Sequence, residues 1–157
     1  SVSVHQACLA ISPHAIWQGV EQIMINLTND DHIAINRLIN LYGHVIDERQ
    51  WSRMGELFTD DVVFDLADFN GQVLEGLETL RETFRALDRH PLAHHATNIL
   101  IEVVDGEITV LSKGIGMYRD LVGSTVYRDR LRKTPQGWRI ARRVATKRRY
   151  ETIPEPT

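Results

Sequence analysis

This chain contains little cysteine and no long apolar run. Its 157 residues include one cysteine, Cys8, so an internal disulfide is excluded and a zinc site would need other ligands. No apolar run approaches the roughly 20 residues that a membrane-spanning helix requires. Residues 1–20 have neither a cationic head nor a continuous apolar stretch, so we expect no secretory signal and a cytoplasmic location.

Sequence patterns that bind metals or phosphates, or that carry a nucleophilic serine, are also missing. The chain has no glycine-rich phosphate loop and no serine nucleophile elbow. Its seven histidines show no metal-ligand spacing. We therefore predict that the protein holds no metal and uses no cofactor.

Positive charge is concentrated in one part of the chain. The formal net charge is −3, yet residues 119–149 contain eleven lysines and arginines and only two acids, Asp120 and Asp129. A nucleic-acid-binding face would explain this, as would exposed strand faces whose arginines pair with acids from the first half of the chain. The chain lacks the net positive charge and interleaved exposed aromatics of a small nucleic-acid binder. We favour the second explanation and expect neither a nucleic acid nor a membrane as partner.

Hydrophobic periodicity predicts helices in the first half of the chain and strands in the second. Apolar residues recur with spacings of three and four up to Ile46, which is typical of an amphipathic helix, whereas residues after 94 alternate. The predicted elements are a helix from the capping residues Asn29–Asp31 to Ile46, a helix over 48–58, strands over 62–66 and 72–75 joined by the turn Asn70-Gly71, a helix over 76–87, and strands over 95–104, 107–119, 125–133 and 138–147.

Helices followed by long hairpin-joined strands are typical of an α+β fold. We predict a curved antiparallel sheet that wraps around the N-terminal helices to form a cone, whose mouth is a natural ligand pocket. Residues 29–149 would form this single domain. Residues 1–28 would be an N-terminal arm or short helix, and residues 150–157 a loose tail.

A polar trio lies where apolar residues are expected. Tyr42 is on the apolar face of the first helix, Asp47 follows at its end, and His95 is in phase with Ile99 and Ile101 near the start of a strand. Each has an ordinary structural alternative: a core tyrosine, a helix cap and a satisfied strand histidine. If the three side chains line one pocket, the imidazole could move protons on a substrate. The carboxylate would then orient the imidazole, and the phenol would polarise a carbonyl group of the substrate.

The orientation of one arginine depends on the phase of the last strand. Trp138, Ile140 and Arg142 share a strand face, so Arg142 points inward unless a bulge shifts the register. An inward arginine would pair with Asp65 or Asp129, or bind a carboxylate or phosphate of a substrate. The same alternation in the earlier strand turns His94 outward.

Three segments of the chain resemble the SnoaL-like family of the nuclear-transport-factor-2-like superfamily. Residues 41–64 look like the opening of these proteins, residues 94–98 like the start of their third strand, and residues 137–143 like their closing strand. The similarity covers about residues 29–149. It implies the cone-shaped α+β fold and a homo-oligomer, either a dimer or a trimer.

The resemblance also implies an activity. Tyr42, Asp47 and His95 match the arrangement in scytalone dehydratase and bile-acid dehydratases, although the fourth strand offers no second pocket histidine. The implied function is a cofactor-independent lyase (dehydratase) or isomerase acting on a small hydrophobic ring or acyl substrate. The alternative is a non-catalytic subunit or ligand-binding module, similar to the beta subunit of ring-hydroxylating dioxygenases. The residues that we expect to contact the substrate are Trp51, Phe64, Tyr118, Trp138 and Arg142.

Overall fold

The computed structural model describes residues 26–149. The predicted arm over 1–28 and the predicted tail over 150–157 lie almost entirely outside the described residues, so the division of the chain stays a prediction. The elements are, in order, α1 (Asn29–Asp47), a 3₁₀ helix (Trp51–Glu56), β1 (Phe58–Leu66), α2 (Ala67–Asn70), β2 (Gln72–Glu75), α3 (Leu77–Ala86), β3 (Ala93–Val104), β4 (Glu107–Met117), β5 (Val122–Thr134) and β6 (Gly137–Lys147).

The six strands form one curved, unclosed sheet with the order β2-β1-β6-β5-β4-β3. The predicted α+β class and the wrapping of a sheet around helices are confirmed. One pairing differs from the antiparallel prediction, because β1 and β6 run parallel. A tight hairpin forces neighbouring strands to be antiparallel, but β1 and β6 are far apart in the chain and no such turn constrains them.

Helix α1 supplies the apolar layer that the sheet covers. Thr28 begins the helix with a capping box, in which its hydroxyl accepts from the Asp31 N–H and the Asp31 carboxylate accepts from the Thr28 N–H, each at 3.1 Å. The cap therefore lies one residue before the predicted Asn29–Asp31. The helix residues that are buried in the core are Ile35, Leu38, Ile39, Tyr42, Val45 and Ile46.

The predicted second helix is shorter than its sequence pattern suggests. Only Trp51–Glu56 is helical, as a 3₁₀ helix, because strand pairing begins at Phe58 opposite Ile140. The Ile140 N–H donates to the Leu57 carbonyl at 2.8 Å, which draws this segment into the sheet.

Two bulges decide which strand side chains face the interior. In β3 the pairing shifts by one residue between Thr97 and Leu100, and Asn98 in that interval has φ of 52°. In β6 the pairing shifts around Ala141, since Ile140 and Arg142 oppose the consecutive residues Leu131 and Arg130. An extra residue reverses the alternation of side chains beyond it. Within residues 26–149, no helix is long and apolar enough to cross a membrane.

Candidate functional site

A cavity of about 490 Å³ lies between the helices and the inner face of the sheet. This volume falls within the range of about 300–1,000 Å³ that is typical of small-molecule sites. Its inner wall is formed mainly by buried apolar and aromatic side chains. The lining residues of this wall are Tyr42 and Ile46 from α1, Phe64 from β1, Phe84 from α3 and Ala145 from β6.

His94 lies on the cavity wall, and Asp47 holds it from behind. The imidazole Nδ1 is 2.5 Å from the Asp47 carboxylate, and the His94 backbone N–H donates to the other carboxylate oxygen at 2.9 Å. The side chain of His94 is only 14% exposed, and that of Asp47 is 16% exposed. Because a carboxylate only accepts hydrogen bonds, Nδ1 carries the proton and Nε2 keeps its lone pair. Asp47 is thus a partner of an imidazole rather than a cap of the following helix.

A glycine allows α1 and β3 to approach closely enough for this contact. Gly43 faces the carbonyl group of His94, and a Cβ on Gly43 would lie 2.5 Å from that oxygen. Gly43 lies between Tyr42 and Asp47 in the helix, so the close approach positions both side chains against the start of β3. The contact between Asp47 and His94 therefore depends on the absence of a side chain at Gly43.

Burial keeps the imidazole of His94 neutral near pH 7. Burial lowers the pKa of His94 below its usual 6.5, and this effect exceeds the opposing influence of the hydrogen bond and charge of Asp47. Among residues 26–149, no side chain or backbone group hydrogen-bonds to Nε2 of His94. A neutral imidazole with an unshared nitrogen on a cavity wall can act as a general base.

Two phenols border the cavity beside His94. The ring of Tyr42 packs edge-on against His94 with 5.6 Å between centroids, and Tyr127 lies 6.0 Å from Tyr42. Burial raises the pKa of both hydroxyl groups above the usual 10 of a phenol, although nearby Arg143 acts in the opposite direction. Both tyrosines therefore remain protonated and can donate hydrogen bonds.

A buried ion pair supports the two phenols. Arg143 donates from Nε and Nη2 to the two carboxylate oxygens of Asp129, each at 2.7 Å, and the side chains are 1% and 0% exposed. The guanidinium carbon lies 4.4 Å from the ring centre of Tyr42 and 4.5 Å from that of Tyr127. The third nitrogen, Nη1, is buried without a hydrogen-bond partner among the described residues. A cation held this way fixes the rings and faces them with positive charge.

The prediction that His95 faces the interior is wrong. His95 is exposed on the outer face of the sheet, opposite Ile115 of β4, while His94 faces the cavity. The physical reason is the bulge at Asn98. The inward phase of Ile99 and Ile101 does not extend back across the extra residue, so the inward positions before it are His94 and Ala96.

The five predicted substrate contacts divide between the cavity and other places. Phe64 and Tyr118 line the cavity. Trp51 is not among its lining residues and packs against His90 instead, with ring centroids 5.4 Å apart. Trp138 and Arg142 line a separate surface depression.

Contacts elsewhere explain the positions of Trp138 and Arg142. The indole N–H of Trp138 donates to Asp31 at 2.9 Å, which ties β6 to the beginning of α1. Arg142 lies beyond the bulge at Ala141 and pairs with Asp65 at 3.4 Å, so the arginine that turns inward is Arg143. Asp129, one of the two carboxylates considered for an inward arginine, pairs with Arg143.

Sequence reasoning missed three residues of the site: His94, Tyr127 and Arg143. Tyr127 carried a usable signal, because Thr125, Tyr127, Asp129 and Leu131 alternate without interruption along β5. Alternation gave no usable signal for His94 or Arg143. A bulge separates His94 from the apolar residues after it in β3, and another separates Arg143 from the apolar residues before it in β6, so the alternation of those apolar residues predicts the wrong face. Within residues 26–149, no group of three or more histidine, cysteine or acidic side chains could hold a metal ion.

Comparison with known proteins agrees with this fold. A family model described as a SnoaL-like domain matches residues 28–144. A search of curated protein sequences gives no match.

Three solved structures illustrate the structural similarity. A cystatin-like-fold protein of unknown function from Nostoc punctiforme is 22% identical with a TM-score of 0.67, over 80% of this chain and 97% of that one. A candidate scytalone dehydratase from Novosphingobium aromaticivorans is 18% identical with a TM-score of 0.61, over 78% and 89%. The D26N variant of Rv3472, a protein of unknown function from Mycobacterium tuberculosis, is 30% identical with a TM-score of 0.62, over 76% and 73%.

Proposed function

We propose that this chain, which belongs to the SnoaL-like domain family, is a cofactor-independent lyase (dehydratase) or isomerase that acts on a small hydrophobic ring or acyl substrate. The observation that carries the proposal is the position of His94. Its Nδ1 is held by Asp47, and its ring lines an apolar cavity that two neutral phenols also line. An acid–base enzyme needs this combination of a fixed base, a hydrogen-bond donor and a site with little water.

In the proposed reaction, Nε2 of His94 removes a proton from the carbon next to a carbonyl group. The electron pair of that C–H bond forms an enolate, and its oxygen accepts hydrogen bonds from Tyr42 and Tyr127. Asp47 stabilises the imidazolium that results, without itself taking the proton.

The enolate can then react in two ways. In a dehydration, the electron pair expels a hydroxyl group from the β carbon, the imidazolium protonates that leaving group, and water departs. In an isomerisation, the imidazolium returns the proton to a different carbon. Both routes restore neutral His94 and require no oxidant, metal or second substrate.

The proton-abstraction step can be tested with 1-tetralone, an apolar ring ketone with protons next to its carbonyl group. We expect the protein to accelerate deuterium exchange at these positions in D₂O, as observed by NMR. The His94→Gln variant should lose about 10²–10⁴-fold of this acceleration, and Tyr42→Phe should lose part of it. The His95→Gln variant is the matched control, because it removes the neighbouring imidazole from the outer face and should exchange normally.

The dehydration step can be tested with 3-hydroxy-1-tetralone, which loses water to give the fluorescent product 1-naphthol. Exchange or dehydration that survives in His94→Gln would contradict the assignment of the base. If calorimetry shows that both ketones bind while neither reacts, the chain is a ligand-binding module instead. The open cavity favours either of these roles over that of a packed scaffold.

A further inference from the structure

We propose that the ligand of the cavity is an amphipathic anion, whose apolar body fills the chamber and whose carboxylate or phosphate group lies at the mouth beside Arg89 and Arg148. This inference rests on the proposed function, since it names the substrate class of the same site. It depends on the distribution of charge along the cavity wall.

The charged groups that line the cavity have one sign. Four cationic residues line it, namely Arg89, Lys147, Arg148 and Arg149. No aspartate or glutamate is among the described residues that do so. Since the whole chain has three more acids than bases, this bias is local to the cavity. A cationic mouth in front of an apolar chamber favours ligands that carry negative charge at one end.

The cations belong to the mouth rather than to the inner wall. Arg89 and Arg148 are exposed, whereas lining residues such as Phe64 and Phe84 are buried. A ligand that enters the chamber would therefore leave its charged end in partial contact with solvent. This arrangement avoids the large cost of burying an unpaired charge.

The end of β6 is held in place, so the cationic mouth is a built feature. The Arg148 N–H donates to the Ser124 carbonyl at 2.9 Å, and the Lys147 N–H donates to the Asp68 carboxylate at 2.7 Å. The Lys147 ammonium group lies 5.0 Å from the ring centre of Phe69. These contacts bring three consecutive cationic residues to one edge of the cavity.

Two of the four cations are available to a ligand. The Asp68 carboxylate pairs with Arg149 at 3.1 Å, and the Lys147 side chain contacts the Phe69 carbonyl and ring. In contrast, the guanidinium groups of Arg89 and Arg148 make no hydrogen bond or ion pair with any residue in the range 26–149. An arginine can bind a carboxylate or a phosphate through two parallel hydrogen bonds.

Three naphthalene probes separate the charge from the apolar body: 2-naphthoate, 2-naphthyl phosphate and neutral 2-naphthamide. Calorimetry at low ionic strength should give an affinity about fivefold higher for at least one anion than for the amide. Added salt should reduce this preference, because the mouth is exposed to solvent. Comparison of the two anions distinguishes a carboxylate ligand from a phosphate ligand.

The Arg89→Gln/Arg148→Gln double variant should bind all three probes with the affinity of the amide. Its matched control is Lys113→Gln/Arg128→Gln, which removes two cations from residues that do not line the cavity and should keep the preference. Equal affinity for the anions and the amide in the wild-type protein would overturn this inference while leaving the chamber as a ligand site. A preference that survives in the double variant would also overturn it. If none of the probes binds, this inference fails, whereas the proposed function is decided separately by the exchange and dehydration of the two tetralones.

Discussion

Gly43 lies directly against the carbonyl group of His94, at the point where α1 crosses the beginning of β3. A Cβ at Gly43 would be 2.5 Å from the carbonyl oxygen, which is closer than real Cβ atoms approach a backbone atom. This contact places the Asp47 carboxylate within hydrogen-bond distance of both nitrogen donors of His94. The site therefore depends on a position that carries no functional group.

The Gly43→Ala variant should be destabilised and should lose activity. Alanine in a helix normally gains about 1 kcal/mol over glycine. The new Cβ would overpack the contact with β3, which costs about 1–3 kcal/mol of stability. The upper end of this range applies here because the neighbouring atom is the backbone carbonyl of His94, which cannot move aside easily. We expect a net loss of about 2 kcal/mol in the free energy of unfolding, measured by urea denaturation. Gly55→Ala is the control, since its Cβ would meet only Leu77 at 3.8 Å. Equal stability of the two variants would show that the helix is free to shift.

The neutral form of His94 should make stability depend on pH. Its pKa is lower in the folded protein than the unfolded value of 6.5, so between these two values the unfolded chain binds more protons. The free energy of unfolding should therefore rise with pH through this window and fall as the medium is acidified below 6.5. The difference between the wild-type protein and His94→Gln, measured by denaturation at several pH values, isolates this contribution.

The catalytic rate should follow the same ionisation, because protonated His94 cannot act as a base. We expect kcat/KM to decrease on acidification with an apparent pKa below 6.5. The Asp47→Asn variant should move that pKa lower still, since Asp47 raises it in the wild-type protein. An NMR titration of the His94 ring measures the pKa directly, and a value above 6.5 would be incompatible with this account of the site.

Separating the partners of the buried pair Arg143–Asp129 should be costly. Asp129→Asn leaves an unpaired charge in the interior and should cost about 3–5 kcal/mol of stability. The double variant Arg143→Met/Asp129→Leu removes both charges and should recover much of this loss, but with weaker activity because Tyr42 and Tyr127 lose their support. Arg142→Met is the control, because its half-exposed pair with Asp65 is worth at most about 1 kcal/mol. Chemical denaturation measures all three changes, and a double variant no more stable than Asp129→Asn would argue against the charge as the cause.

The outer face of the sheet should form the contact between copies of this chain. Leu100 and Leu111 lie opposite each other there, as do His95 and Ile115, and the three apolar side chains are 39–50% exposed. Exposed apolar patches often mark protein interfaces. We expect a homo-oligomer by sedimentation, which Leu111→Asp/Ile115→Asp should convert to a monomer. Ile33→Asp, at another exposed apolar position on α1, should leave the assembly unchanged. A wild-type protein that sediments as a monomer would contradict the prediction.

The amino-acid sequence by itself determined the framework of the site. Helical periodicity placed Tyr42 on the buried face of α1 and Asp47 at the end of that helix. Both positions could be predicted because the periodicity of a helix depends on residues close together in the sequence. The alternation of Thr125, Asp129 and Leu131 likewise agrees with the inner face of β5. The order of helices and hairpin-joined strands predicted the α+β fold, and the family resemblance implied the same fold, which the structure confirms.

The tertiary structure alone decided which member of each neighbouring pair faces inward. His94 rather than His95, and Arg143 rather than Arg142, point to the interior because bulges at Asn98 and Ala141 reverse the strand phase. A strand has a period of two, so one extra residue exchanges the faces, and whether it is inserted depends on pairing with strands elsewhere in the chain. The cationic mouth of the cavity likewise exists only because folding brings the loop after α3 and the end of β6 to the same cavity.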